Sequence, residues 1–156
     1  MKKEMLENGE ILTELVKDFL VNKTEENLKT LFSIIRDSDV FISAEMEFSE
    51  ADKKRFMEAK PGDNIVPQDK VNIKPGFIKT KDGKVYFPVF TKEEFIPEER
   101  KKAGALPLRM PFLQCAKMAL NAEKTEAILV NPFMDNFVLN KKNLEIISKL
   151  PSSLEK

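Results

Sequence analysis

The chain has 156 residues, with 26 Lys plus Arg against 26 Asp plus Glu, and so carries no formal net charge. It has no histidine and one cysteine, so a Ser-His-Asp triad, a Cys-His pair, a histidine zinc site, an internal disulfide and any multi-cysteine metal centre cannot be built within it. Balanced charge without a basic block disfavours nucleic acid as a partner, and no apolar run approaches the ~18–20 residues of a membrane span.

A chain of this length can bury about two-thirds of its unfolded surface, so one domain over 1–156 is expected. Residues 1–8 and 151–156 are expected to be flexible. The two lysines after Met1 have no apolar core behind them, unlike a signal peptide, and a lone thiol suits a cytoplasmic setting. Ile11, Leu12, Leu15, Val16, Phe19 and Leu20 make one apolar stripe on a first helix from about Gly9 to Val21. Thr24 can cap a second helix, in which Leu28, Leu31, Phe32 and Ile35 fall at i, i+3, i+4 and i+7. The two helices should form a hairpin that packs on something else.

Val40 to Ala44 reads as a strand, and Ser49 as the start of a helix. Pro61 to Asn64 and Pro67 to Asp69 have loop composition. Asp82-Gly83, between Gly76–Thr80 and Val85–Phe90, predicts a hairpin with a type I′ turn. Pro88 places its strand at an edge or a bulge. Thr91-Lys92-Glu93-Glu94 has the pattern of a capping box, with the Thr91 hydroxyl and the Glu94 carboxylate closing the start of a short helix. Glu98 to Lys102 reads as a charged loop or one exposed turn, and Leu106 to Met110 as extended. Pro111 suits the first turn of a helix with Phe112, Cys115, Ala116, Ala119 and Leu120 as its buried stripe. Ala127 to Val130 reads as a central strand, Asn131 to Asn136 as a turn, and Phe137 to Leu139 as the returning strand. Asn140 can cap a last helix that Pro151 ends. Hairpins dominate, so the expected class is α+β: a mostly antiparallel sheet with an N-terminal helical hairpin and helices packed against it.

Few residues point to chemistry. Cys115 has no histidine to activate it and lies on an apolar stripe, which favours a core role. Glu45, Glu47, Glu50, Asp52, Glu93, Glu94, Glu98 and Glu99 fall at turns and wet faces, where solvation and capping account for them. Asn131, Asp135 and Asn136 offer oxygens to a hard cation, yet turn chemistry explains all three. The runs Lys53–Arg55 and Arg100–Lys102 are neutralised by acidic neighbours. Twelve phenylalanines stand against one tyrosine. Most belong in the core, but Phe90, Phe95 and Phe133 fall at a strand end, on a short helix and in a turn. If strands 85–90 and 127–130 lie side by side, these three rings converge into a contact patch, bordered by the polar groups of Thr91, Glu94, Asn131 and Asp135.

Three stretches carry a resemblance. Thr24–Leu31 leads into the strand Val40-Phe41-Ile42. Asp82-Gly83-Lys84-Val85-Tyr86-Phe87-Pro88-Val89-Phe90-Thr91 continues into Lys92-Glu93-Glu94-Phe95. Ile128-Leu129-Val130-Asn131-Pro132-Phe133 precedes Val138-Leu139. In this order they resemble the N-terminal domain of the SseB (enhanced serine sensitivity) family, over nearly the whole chain. The resemblance implies an α+β domain in the bacterial cytoplasm and little chemistry, because the family name records a phenotype. Family members can carry a further C-terminal domain, expected to be missing from a chain that stops at Lys156.

The expected function is a non-enzymatic module that binds another protein or a second copy of itself, as a homodimer, without a cofactor or metal. The alternative, motivated by the serine link in the family name, is a sensor of a small amino-acid-like metabolite. An enzyme using carboxylates is least favoured.

Overall fold

A computed structural model describes residues 2–62 and 66–154. The helical hairpin forms as its stripes dictate. Helix α1 (Glu10–Val21) buries Leu12 and Val16, and α2 (Glu25–Asp37) buries Leu31, Phe32 and Ile35. Thr24 caps α2, its Oγ1 accepting from the Asn27 amide at 3.1 Å. The residues ahead of α1 are held: Lys3–Leu6 form a 3₁₀ turn that buries Leu6. At the other end Ser152 Oγ donates to Asp37 Oδ1 at 2.9 Å, and the Ser153 amide donates to Asp37 Oδ2 at 2.8 Å. The described part of each terminal segment thus contacts the rest of the fold.

Strand β1 (Asp39–Glu47) is longer than its apolar centre. Helix α3 (Glu50–Glu58) follows, capped by Ser49 Oγ on the Asp52 amide at 3.1 Å. The loop after it holds Asp63 and Asn64, which lie outside the described residues. Strand β2 (Asn72–Pro75) pairs antiparallel with β1. A hairpin then joins β3 (Ile78–Lys79) to β4 (Val85–Val89). Its turn is not type I′. Type I′ needs positive φ at both central residues, but Gly83 takes it at 86° and Asp82 does not. The Thr80 amide donates to the Lys84 carbonyl at 2.8 Å and the Gly83 amide to the Thr80 carbonyl at 3.0 Å. The loop thus has three residues, a type I turn followed by a left-handed glycine. The Thr80 hydroxyl donates to the Asp82 carboxylate and helps to hold that turn.

Helix α4 (Glu98–Lys102) is short. Strand β5 (Leu106–Pro111) pairs antiparallel with the other edge of β1. Pro111 sits one residue before α5 (Phe112–Asn121), whose stripe buries Phe112, Cys115, Ala116 and Ala119. Strand β6 (Thr125–Val130) runs parallel to β4, and β7 (Phe137–Asn140) returns antiparallel to β6. Helix α6 (Lys141–Lys149) closes the chain, with the Asn140 and Asn143 side chains capping each other's backbone amides.

The expected single sheet is two: β2-β1-β5 and β3-β4-β6-β7. They are joined where Phe90 pairs with Phe41, each amide donating to the other's carbonyl at 2.8 Å. This pairing also explains Pro88. Phe90 turns its amide toward β1, and by strand alternation Pro88 turns its missing N–H to the same side, where β3 has already ended. The register shift in this strand lies at Val85/Tyr86, not at the proline.

One core lies among these layers, with Leu31, Ile35, Ile42, Phe87, Phe112, Ile128, Leu139 and Ile147 at its centre. Cys115 is fully buried within it, and burial pushes its thiol up to about 12. No helix among the described residues is long and apolar enough to cross a membrane.

Asp52 departs from its reading as a solvated carboxylate. It is 1% exposed and accepts the Gln68 and Asp69 amides, each at 3.0 Å, and Arg55 at 3.1 Å. No local pattern signals this, because the donors lie sixteen and seventeen residues away. These amides, Gln68 first, hold its pKa below the ordinary 3.8, against the opposing cost of burial. A depressed folded-state pKa contributes stability above the unfolded value, and that stability is lost as pH falls through the folded one. The denaturant midpoint of Asp52→Asn should therefore lie below wild type at neutral pH and approach it in acid. A gap of constant size at both pH values would show that Asp52 charge is not what anchors this loop.

Candidate functional site

Because β4 and β6 are parallel neighbours, the residues that follow them emerge side by side. The Asn131 amide donates to the Val89 carbonyl at 2.8 Å, which carries the ladder one residue past β6. Asn131 Oδ1 accepts the Thr91 amide at 2.9 Å. Its Nδ2 donates to Thr91 Oγ1 at 3.0 Å and to Asp135 Oδ2 at 2.9 Å. Thr91 Oγ1 also lies 2.7 Å from Thr13 Oγ1 of α1. Thr91 and Asn131 are fully buried and Thr13 nearly so. Every polar atom of Asn131 is engaged, which is what a buried amide requires. Gly9 packs directly on the Thr91 carbonyl at a φ of 80°. One buried threonine thus joins β4, the start of α1 and the β6–β7 turn.

The capping box at Thr91 and Glu94 does not form. Thr91 has spent its hydroxyl on Asn131 and Thr13, and Lys92 precedes a 3₁₀ turn, Glu93–Phe95, that has no side-chain cap. Glu94 is exposed, 4.0 Å from Lys92 Nζ. Phe90 is fully buried, because its pairing with Phe41 draws the strand end between the two sheets. Phe95 is half-buried, with Lys92 Nζ 5.9 Å from its ring centre. Phe90 therefore cannot belong to a surface patch, and of the three phenylalanines Phe133 is the one offered to solvent, at 69% exposure.

Phe133 is held in that position. The backbone of its turn takes positive φ three times, at Asn131 (51°), Phe133 (70°) and Asn136 (49°). Asparagine tolerates this region, whereas an aromatic side chain enters it at a cost of about 1–2 kcal/mol. The strain is pinned by the Phe133 amide on Asn136 Oδ1 at 3.0 Å, and by the Met134 and Asn136 amides on the Asn131 carbonyl at 3.1 and 3.2 Å. Asn131, Asp135 and Asn136, weighed as cation ligands, use these oxygens to build the turn. Among the described residues no group of three His, Cys, Asp or Glu could hold a metal. Sequence reasoning missed two further exposed apolar residues of this hairpin: Met134 and Val138 are each nearly half exposed. The signal for Val138 was present, since Phe137 and Leu139 alternate with it and face inward.

The fold and this turn use the stretches that order the sequence, and a family model, the SseB protein N-terminal domain, matches residues 12–145. The chain belongs to this family. No curated protein and no solved structure gives a match. The SseB match takes in Thr13, Thr91, Asn131 and the whole β6–β7 turn, but not the 3₁₀ turn ahead of α1.

That 3₁₀ turn forms one wall of an open groove of about 650 Å³. Its lining mixes Glu4, Glu7, Glu10, Glu93 and Glu94 with Lys92, Lys101 and Arg109. Lys92 Nζ reaches Glu10 at 2.9 Å and Arg109 Nε reaches Asp39 at 3.6 Å, so part of this charge is already paired.

Proposed function

We propose that this SseB-family domain is a non-enzymatic interaction module whose contact point is the turn bearing Phe133 and Met134, with Val138 beside it. The observation that carries the reading is Phe133 itself, a large aromatic side chain kept in a strained backbone conformation and left in water. Neither the strain nor the exposure helps folding, so both are accounted for by a surface that buries the ring. The occupant is a second copy of the chain. Strand β7 ends its sheet, with no strand on its outer side among the described residues. Across a two-fold axis, β7 can pair with its own copy and bring Val138 and the turn into one apolar contact.

Light scattering at rising concentration tests this. The wild-type chain should dimerise, and Phe133→Ser with Met134→Ser should remain monomeric at an unchanged melting temperature. A wild-type chain that stays monomeric up to its solubility limit overturns the homotypic reading. A double variant that unfolds shows instead that the turn is part of the core.

The mixed-charge groove favours a second reading, a small-metabolite sensor. A zwitterion has one end for Lys101 and Arg109 and one for the glutamates. Stabilisation by amino acids in a thermal-shift screen, lost in Arg109→Ala and kept in the Phe133 variant, would support this reading over the first.

A further inference from the structure

Arg100 stands apart from the other basic side chains. It is half-buried, and among the described residues it has no ion pair and no side-chain hydrogen bond. Burial alone perturbs its pKa, downward, and no carboxylate offsets that cost. Its backbone is fixed: the Arg100 amide donates to the Pro97 carbonyl at 3.1 Å, and the Arg100 carbonyl accepts the Ala105 amide at 3.1 Å. Its guanidinium lies against Gly76, where a Cβ would stand 2.7 Å from Nη1. The glycine leaves the room that the fork occupies.

The guanidinium borders a pocket of about 310 Å³ between the β1–β2 end and α4. Pro75, Ala103 and Ala105 give it small apolar walls, with Lys74 and Glu45 among its lining residues. Lys74 is already committed, with Nζ 2.6 Å from Glu47 Oε1. Glu45 brings a further negative charge. The pocket therefore offers one uncompensated positive charge, in planar, bidentate form, beside an apolar recess.

We propose that this pocket binds a small organic carboxylate, its two oxygens on the Arg100 fork and its short apolar portion against Pro75, Ala103 and Ala105. A guanidinium matches a carboxylate geometrically, and a single free charge with Glu45 nearby suits a monoanion better than a doubly charged phosphate. The site is separate from the β6–β7 turn and does not depend on the reading given to it.

The test follows the Arg100 Nε–Hε and Ala105 amide signals by NMR in the unaltered protein. Sodium acetate, sodium propionate and inorganic phosphate are titrated at constant ionic strength, with chloride as the reference. Acetate and propionate should shift both signals saturably, propionate more tightly. Arg100→Lys should weaken binding by about tenfold, because an ammonium cannot donate in the planar bidentate geometry, and Arg100→Met should abolish the Ala105 shift. The absence of a saturable shift in the unaltered protein overturns the site, whatever the variants do. Phosphate binding as tightly as propionate overturns the carboxylate assignment. An undiminished Ala105 response in a folded Arg100→Met variant also overturns it.

Discussion

Replacing Asn131 by alanine is expected to lower stability by about 2–4 kcal/mol, one of the two largest effects of any single change outside the apolar core. The change removes the acceptor of the Thr91 amide, a group with no water to turn to, and leaving such a donor unmet costs about 1–3 kcal/mol. It also removes the Nδ2 donor shared by Thr91 and Asp135, and places alanine where φ is 51°, a region that asparagine tolerates better. Asn131→Asp separates these contributions. It keeps an acceptor for the Thr91 amide but sets a second carboxylate against Asp135. Its folded-state pKa is then raised, so its deficit should shrink as pH falls through that value. Chemical denaturation at neutral and acidic pH reads both variants. A cost of a few tenths of a kcal/mol for Asn131→Ala would mean that the network is not what holds the turn.

Gly9→Ala is expected to be comparably severe. A Cβ at Gly9 would lie 1.7 Å from the Thr91 carbonyl oxygen and 2.8 Å from its carbon, and both are backbone atoms that no rotamer change can move. The residue also sits at a φ of 80°, where alanine pays about 1–2 kcal/mol before any clash. Relief requires the start of α1 to move off Thr91, which breaks the Thr13–Thr91 contact behind it. A loss of roughly 2–5 kcal/mol follows, combining backbone strain with overpacking. Amide hydrogen exchange should rise at Thr91 and Thr13 before it rises in α5. Gly83→Ala is the control: its φ is 86° but nothing lies within 4 Å of the added carbon, so strain acts there alone. Equal losses at the two glycines would mean that the contact with Thr91 contributes nothing.

The elements legible in the sequence are those decided by neighbours. The stripes of α1, α2 and α5, the caps at Thr24, Ser49 and Asn140, and the β6–β7 hairpin all follow from side chains within a few residues of one another. The elements that escaped are decided by distant pairing. Asn72–Pro75 has one apolar residue and a proline, and it becomes a strand because the nine-residue β1 offers it an edge. Thr91 followed by Glu94 reads locally as a helix start, yet Asn131, forty residues away, takes its hydroxyl. Phe90 looked like a loop-end aromatic because its place depends on Phe41, in a strand that no local pattern ties to it. Of the candidate site, the turn residues Asn131, Phe133 and Asp135 were visible; the separate pocket at Arg100 was not, because its lining comes from three distant stretches, 43–45, 74–76 and 100–105.

The Phe41–Phe90 pair sets how this chain can be taken apart. Two sheets in one polypeptide invite dissection into an N-terminal fragment carrying β1 and a C-terminal fragment carrying β4, β6 and β7. Yet β5, the partner of β1, is threaded between β4 and β6 in sequence, and Phe90 ends β4 by docking on β1. Any single cut in the loop after β4 leaves each fragment holding an exposed edge whose complement is on the other piece. Such fragments should be insoluble when produced separately and should reassemble when produced together. The same exposed edges rank that loop as a poor place for a tag or an inserted sequence, and the three-residue turn at Gly83, whose Cβ position faces open space, as a better one.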